Sequence, residues 1–354
     1  MKHELLSQLA SLDLPGTAVS APVTVAPEDA THFVAGLERE RMLGLGIRAA
    51  EDAALEVSPE VFEAMSARHD AVMSQTMRTE LMAIQLSDML KERGIQHRLL
   101  KGAALAHTVA GDASERSFRD LDMLIPGPDM DDAVALCEAQ GATRLQPELR
   151  PGFDARFAKS VTLRLNDVEI DLHRLLASGP FGVWMRPGDL FVLADRVAIG
   201  GREIPTLDFT DHLIHACYHV ALGQAVPVLS NLRDVMLLAA SNIDWDRFDQ
   251  TITRWRGKAV MQRCVTLLGE RIDAEVPEHL ASFRRAAVVA DERIAINPYL
   301  TDDPQGRFSA LAPATLKALP MSDRAAFALA VGFPEGSDPI ERTRSIAGRL
   351  LSRD

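Results

Sequence analysis

Residues 98–125 read RLLKGAALAHTVAGDASERSFRDLDMLI. The apolar run Arg98–Leu100 predicts a short strand, Lys101-Gly102 stops it, and Ala103–Val109 is a helix opened by Gly102. Leu121–Ile125 is the next strand, ended by Pro126-Gly127-Pro128. On an extended strand residues two apart point to the same side, so Asp120 and Asp122 present two carboxylates together while Leu121 and Met123 enter the core. Two like charges that close repel, and burial sharpens the repulsion, unless a cation sits between them. Oxygen ligands favour a hard cation, which makes Mg²⁺ the natural occupant.

Further along, Asp129–Gln140 reads as a helix closed by Gly141. In the stretch VTLRLNDVEIDLHRLL, residues 161–176, Val168, Ile170 and Leu172 face one way and Glu169, Asp171 and His173 the other. Asn166-Asp167 is placed to turn a hairpin. Asp171, in the middle of the polar face, is the candidate third carboxylate of a two-metal site, with Glu169 as the alternative on the same face. Two Mg²⁺ ions a few Å apart clamp a nucleoside triphosphate, one on the departing phosphates and one on the attacking hydroxyl. Lys101 and Gly102, just before a helix start, suit a phosphate, and Arg116 supplies a further donor to the developing charge.

The chain has 354 residues, 47% of them hydrophobic, enough for two or three core-forming units. A net charge of −12 argues against a surface that neutralises a nucleic-acid backbone. Half of that charge lies in residues 1–60, where ten acidic and four basic side chains leave −6. Residues 91–122, by contrast, hold six basic and five acidic side chains, so a small anion can be drawn to the motif although a long polyanion is repelled. Eighteen aromatics, only two of them tyrosine, give little material for stacking single strands. Three scattered cysteines form no disulfide or metal pattern, which fits a reducing cytoplasm. The N-terminus lacks a signal-peptide pattern and no apolar stretch of membrane-spanning length occurs, so no membrane partner is expected.

The expected organisation is a loosely ordered, Pro- and Ala-rich lead-in over 1–30, a helical region over 31–94, a mixed strand and helix core over 95–206, and a helical region over 207–354 broken at Pro227, Pro277, Pro304, Pro313, Pro320 and Pro334. Ser58-Pro59 marks a helix start within the second of these, whose apolar series includes Val61, Met65, Leu81, Ile84, Leu86 and Leu90.

The blocks LLKGAAL, R…RDLDMLI, EIDLH and HACYH…LRDV, in that order, resemble the uncharacterised nucleotidyltransferase family of the DNA polymerase β superfamily, over roughly residues 80–260. The resemblance implies an α+β fold, a small mixed-sheet nucleotidyltransferase core flanked by N-terminal and C-terminal helical regions. It implies Mg²⁺, with two ions, and transfer of a nucleoside monophosphate from an NTP such as ATP with release of pyrophosphate. Carried over by position, Asp120, Asp122 and Asp171 are the catalytic, metal-binding acids, and Gly102 is the phosphate-loop glycine, with Lys101 and Arg116 at positions typical of the subgroup. Two features depart from the wider superfamily. Ala103 stands where a phosphate-touching serine is usual, and the interval from Gly102 to Asp120 is longer. The acceptor hydroxyl belongs to a small molecule, a peptide or protein, or an RNA end, the acidic surface favouring the first two.

Other readings compete. His212, His215 and His219 share one helix face, either as core or hydrogen-bonding residues, as part of the cleft, or as a metal stripe that lacks the further ligands zinc needs. Arg233-Asp234 is expected to open or cap the following helix and pair with one of them, and Trp245 and Trp255 are expected in the core. His69-Asp70 suggests a metal phosphohydrolase, but no second His and distal Asp stand in a suitable arrangement. A non-catalytic protein of the same fold, binding nucleotide or a partner, is the alternative to an enzyme; three mutually repelling carboxylates argue against it.

Overall fold

The computed structural model describes residues 2–17, 22–301 and 303–336. The chain opens with α1 (Lys2–Ala10), β1 (Val23–Thr24), α2 (Ala30–Arg39), α3 (Leu43–Glu51), β2 (Leu55–Glu56), which pairs in parallel with β1, and α4 (Pro59–Glu92). The loosely ordered lead-in expected over 1–30 is corrected for its described residues. Leu6, Leu9 and Ala10 recur at helical spacing, and all three are buried with Leu14 in the helical core. Residues 18–21 of that segment lie outside the described ones.

Helix α4 starts as its sequence requires: Pro59 occupies the first turn and the Ser58 Oγ accepts a hydrogen bond from the Val61 N–H at 3.5 Å. Its 34 residues give a rod of about 50 Å. Val61 and Met65 pack with α2 and α3, whereas Met82, Ala83, Leu86 and Leu90 lie in a second core under the sheet. Leu81, a member of the expected apolar series, is 55% exposed, because the buried stripe runs one position further along through Met82.

The sheet follows: β3 (Arg98–Leu99), α5 (Lys101–Ala106), β4 (Asp120–Leu124), α6 (Met130–Ala139), β5 (Thr143–Arg144), α7 (Phe153–Arg156), β6 (Ser160–Leu165), β7 (Val168–His173), α8 (Gly179–Trp184), β8 (Asp195–Ile199) and β9 (Arg202–Thr206). The strand order is β5-β6-β7-β4-β3-β9-β8, with β4 parallel to β7 and antiparallel to β3. The fold is therefore α+β with a mixed sheet. Asn166 and Asp167 both take positive φ, 49° and 62°, and turn β6 into β7. Alternation sends Val168, Ile170 and Leu172 into the core and leaves Glu169 and Asp171 on the other face.

Eight helices complete the described chain: α9 (Phe209–Leu222), α10 (Leu229–Ala239), α11 (Trp245–Arg254), α12 (Lys258–Arg271), α13 (Glu278–Ser282), α14 (Ala290–Ala295), α15 (Pro304–Ala318) and α16 (Met321–Gly332). Asp208 caps α9 and Asp244 caps α11, each carboxylate accepting a backbone N–H three residues on. Pro313 sits inside α15 and does not break it, in contrast to its expected role. The part of the expected C-terminal helical region beyond residue 336 lies outside the described residues. Trp255 is fully buried, but Trp245 is half-buried and stacks on His279 at 4.2 Å. No described helix is long and apolar enough to cross a membrane.

Candidate active site

The register of β4 against β7 decides what the carboxylates can do. Asp122 lies opposite Asp171, while Asp120 lies opposite Glu169. Of the two candidates for third acid, Asp171 is thus the one brought to Asp122. Glu169 instead ion-pairs with Arg164 at 3.6 Å near the surface. The Thr162 hydroxyl, opposite Asp171 on β6, donates to its Oδ1 at 2.5 Å and fixes the carboxylate.

His173, two residues beyond Asp171 on the same face, joins them. Donor atoms of Asp122, Asp171 and His173 all lie within 4.8 Å of one another, the one such set of three among the described residues. Asp120 lines the same cavity outside that set. The His173 Nε2 is 2.6 Å from the Asp122 Oδ1, and its Nδ1 is 3.3 Å from the Leu175 carbonyl. Burial, then the nearby Lys159 and Lys101, lower the His173 pKa, so the ring is neutral and carries one N–H. With that hydrogen on Nε2 it bonds Asp122; with it on Nδ1 it bonds Leu175 and leaves Nε2 free as a ligand, the arrangement usual for a metal-bound imidazole. Two carboxylates and an imidazole form a donor set that fits a divalent cation.

Asp122 is buried and doubly contacted. Burial alone would raise its carboxyl, but the Lys101 ammonium at 2.5 Å and His173 hold it well below the ordinary carboxylate range. Lys101 takes a left-handed backbone, φ 43°, uncommon for a side chain of its size and a feature of strained functional positions. Gly102 follows because Phe118 leaves room for nothing else: a Cβ there would stand 2.6 Å from the Phe118 Cβ.

These residues face a cavity of about 300 Å³, also lined by Arg116, Arg41, Lys159, His219 and Asn231. All six site residues expected from the sequence line it. Arg116 holds Asp234 of α10 through Nε and Nη2, the latter at 2.6 Å, while its buried Nη1 has no partner among the described residues. The expected pairing of Arg233-Asp234 with a histidine is corrected: both residues lie within α10, Asp234 serves Arg116, and Arg233 Nη1 reaches the carbonyls of Ala10, at 3.0 Å, and Leu12.

The three histidines of α9 divide. His212 donates from Nε2 to the Thr206 Oγ1 at 2.8 Å, since that hydroxyl spends its own hydrogen on the Leu99 carbonyl. His215 is buried and its Nε2 lacks a partner among the described residues. Only His219 reaches the cavity, and none of the three belongs to the metal-capable set. His69 is spent on the Ser114 carbonyl at 3.1 Å.

The sequence reading missed His173 as a donor, Lys159 and Arg41. His173 was within the quoted EIDLH block, and its place on the Asp171 face was the available signal. Neither Lys159 nor Arg41 belongs to any motif.

A model of the family described as uncharacterised nucleotidyltransferase matches residues 26–273. No curated protein matches the chain. Among solved structures, the solution structure of the antibiotic-resistance factor ANT(2'')-Ia aligns with a TM-score of 0.32 at 13% identity, covering 55% of this chain and 91% of that one. An antigenic nucleotidyltransferase-like protein from Paracoccidioides brasiliensis aligns with a TM-score of 0.30 at 14% identity, covering 47% and 75%. The family match alone carries the assignment.

Proposed function

The chain belongs to the uncharacterised nucleotidyltransferase family, and from that premise we propose that it moves a nucleoside monophosphate from an NTP to a hydroxyl of an acceptor, releasing pyrophosphate. The observation that supports this reading is the set Asp122, Asp171 and His173, facing with Asp120 a cavity lined by four basic side chains, Arg41, Lys101, Arg116 and Lys159. Asp120, Asp122 and Asp171 are the catalytic acids in this proposal, and with His173 they would hold the metal. Mg²⁺ suits the carboxylates, and the imidazole also admits Mn²⁺. When bound, a divalent ion supplies Lewis-acid polarisation of the phosphoryl oxygens and lowers the pKa of a bound hydroxyl.

The protein's own groups do the rest. Thr162 orients Asp171, and Gly102, packed against Phe118, sets the backbone beside Lys101. Arg116 lines the cavity with its Nε and Nη2 fixed by Asp234, and its charge would stabilise the negative charge that develops on the phosphoryl group. A small molecule or a protein is favoured as acceptor over a long nucleic acid, given the net charge of −12. Three free, buried cysteines support a reducing compartment such as the cytoplasm.

The test is pyrophosphate release from each of the four NTPs with Mg²⁺ and a fractionated extract as the source of the acceptor hydroxyl. Wild type is expected to release it with at least one, and Asp122→Asn to lose at least about 100-fold of the rate; equal rates would refute the assignment of the acid. A second reading, nucleotide binding without turnover, draws on the 2.5 Å contact by which Lys101 already neutralises Asp122. It requires a melting temperature that rises with NTP while no pyrophosphate appears.

A further inference from the structure

We infer that Arg41 and Lys159 are the residues that grip the polyphosphate chain of the nucleotide, so that the N-terminal helices supply half of the phosphate site. The inference rests on the nucleotidyl-transfer reading for the identity of the ligand and on charge pairing for the residues. Of the four cations lining the cavity, Lys101 is neutralised by Asp122 at 2.5 Å and Arg116 by Asp234 at 2.6 Å. Arg41 and Lys159 form no side-chain hydrogen bond or ion pair with any described residue. Both are half-buried in the cavity wall, so an anion entering the cavity can take up their unused donors. The cavity also holds the metal-capable carboxylates, so the anion these two cations await is the one that must lie beside them, a chain of phosphates.

Both cations are mounted on fixed backbone. Arg41 joins α2 to α3 with φ 60°, and its neighbour Glu40 is buried, its Oε2 accepting the Leu229 N–H at the start of α10 at 2.8 Å. The Arg41 turn is therefore pinned to the helix whose Asn231 lines the same cavity. Lys159 precedes β6, and its carbonyl accepts the N–H groups of Arg174 and Leu175 at 2.8 and 3.1 Å, immediately after His173 on β7. Burial and then the neighbouring Lys101 lower the Lys159 pKa to about 8, against the opposing charges of Asp122, Asp171 and Asp120 in the same cavity. The two side chains thus come from the N-terminal helices and from the residue that leads into β6, and both line the cavity.

The test uses inorganic tripolyphosphate as probe, titrated calorimetrically into the full chain, wild type and variants. Arg41→Gly relieves a left-handed backbone position while removing the charge, so the fold is retained; Lys159→Gln and Lys159→Arg complete the set. Wild type is expected to bind, Arg41→Gly and Lys159→Gln each to bind about 10- to 100-fold more weakly, and Lys159→Arg to recover most of the loss. Failure of wild type to bind tripolyphosphate, or neutral variants that bind it as wild type does, overturns the inference. If these variants lose tripolyphosphate while wild type releases no pyrophosphate from any NTP, the phosphate site stands and the reading of turnover falls.

Discussion

At Asp122 burial, a lysine and a histidine act on one carboxylate, and the outcome is an ionised group that accepts from Lys101 with the His173 Nε2 2.6 Å away. Asp122→Asn keeps the shape and removes the charge, leaving the Lys101 ammonium without its partner. We expect a loss of about 1–3 kcal/mol in urea unfolding beside the loss of turnover, and an unchanged unfolding midpoint would show that the Lys101 contact contributes nothing. Gly102 allows a separate check. Ala there places a Cβ 2.6 Å from that of Phe118, so Gly102→Ala should cost about 1–3 kcal/mol, and Phe118→Ala in the same chain should relieve part of it. Additive losses in that double mutant would contradict the packing argument. The two acids Asp122 and Asp171 were legible because strand alternation fixes which side a residue takes. Arg41 and Lys159 were not, since their place in one cavity depends on elements more than a hundred residues apart.

Helix α9 shows how an element's reading changes on burial. Helical spacing put His212, His215 and His219 on one face, and the structure buries nearly the whole circumference, so His212 and His215 are a section of core and only His219 reaches the cavity. Burial lowers all three pKa values, that of His212 to about 4. A histidine that is neutral when folded and ordinary when unfolded takes up a proton on unfolding, so its stabilisation is present above about pH 6.5 and is lost as pH falls toward 4. For His212 alone that amounts to about 3 kcal/mol. Asp211, raised to about 6 by burial and by Asp208, works in the opposite direction over nearly the same range and offsets one histidine. His215 and His219 remain, so the urea midpoint should drop between pH 7 and 5, and Asp211→Asn should steepen the drop. A flat profile in both proteins would show that these histidines are protonated without unfolding.

Across the whole molecule, three contacts join regions that the sequence reading kept apart. Arg116 and Asp234 tie the segment before β4 to α10, Glu40 caps the start of α10 from the N-terminal helices, and Arg233 reaches the end of α1. The cavity forms where these regions meet. Asp234→Ala leaves the buried Arg116 charge unpaired and should cost about 3–5 kcal/mol, whereas the double change Arg116→Met with Asp234→Leu should recover most of it; equal instability of the two in urea would mean that the pair is needed for more than charge. The order of helices and mixed sheet was readable from periodicity. The packing of α1 was not, because the Pro- and Ala-rich residues after it obscured a Leu6, Leu9 stripe whose partners lie far along the chain. The central claim concerns which phosphate leaves and which stays. The most direct measurement follows an NTP labelled at the α-phosphate and, separately, at the γ-phosphate, with Mg²⁺ and a fractionated extract as acceptor source. The account predicts α-label on an acceptor and γ-label in pyrophosphate, both absent with Asp122→Asn; γ-label on the acceptor, or transfer that persists in Asp122→Asn, would contradict it.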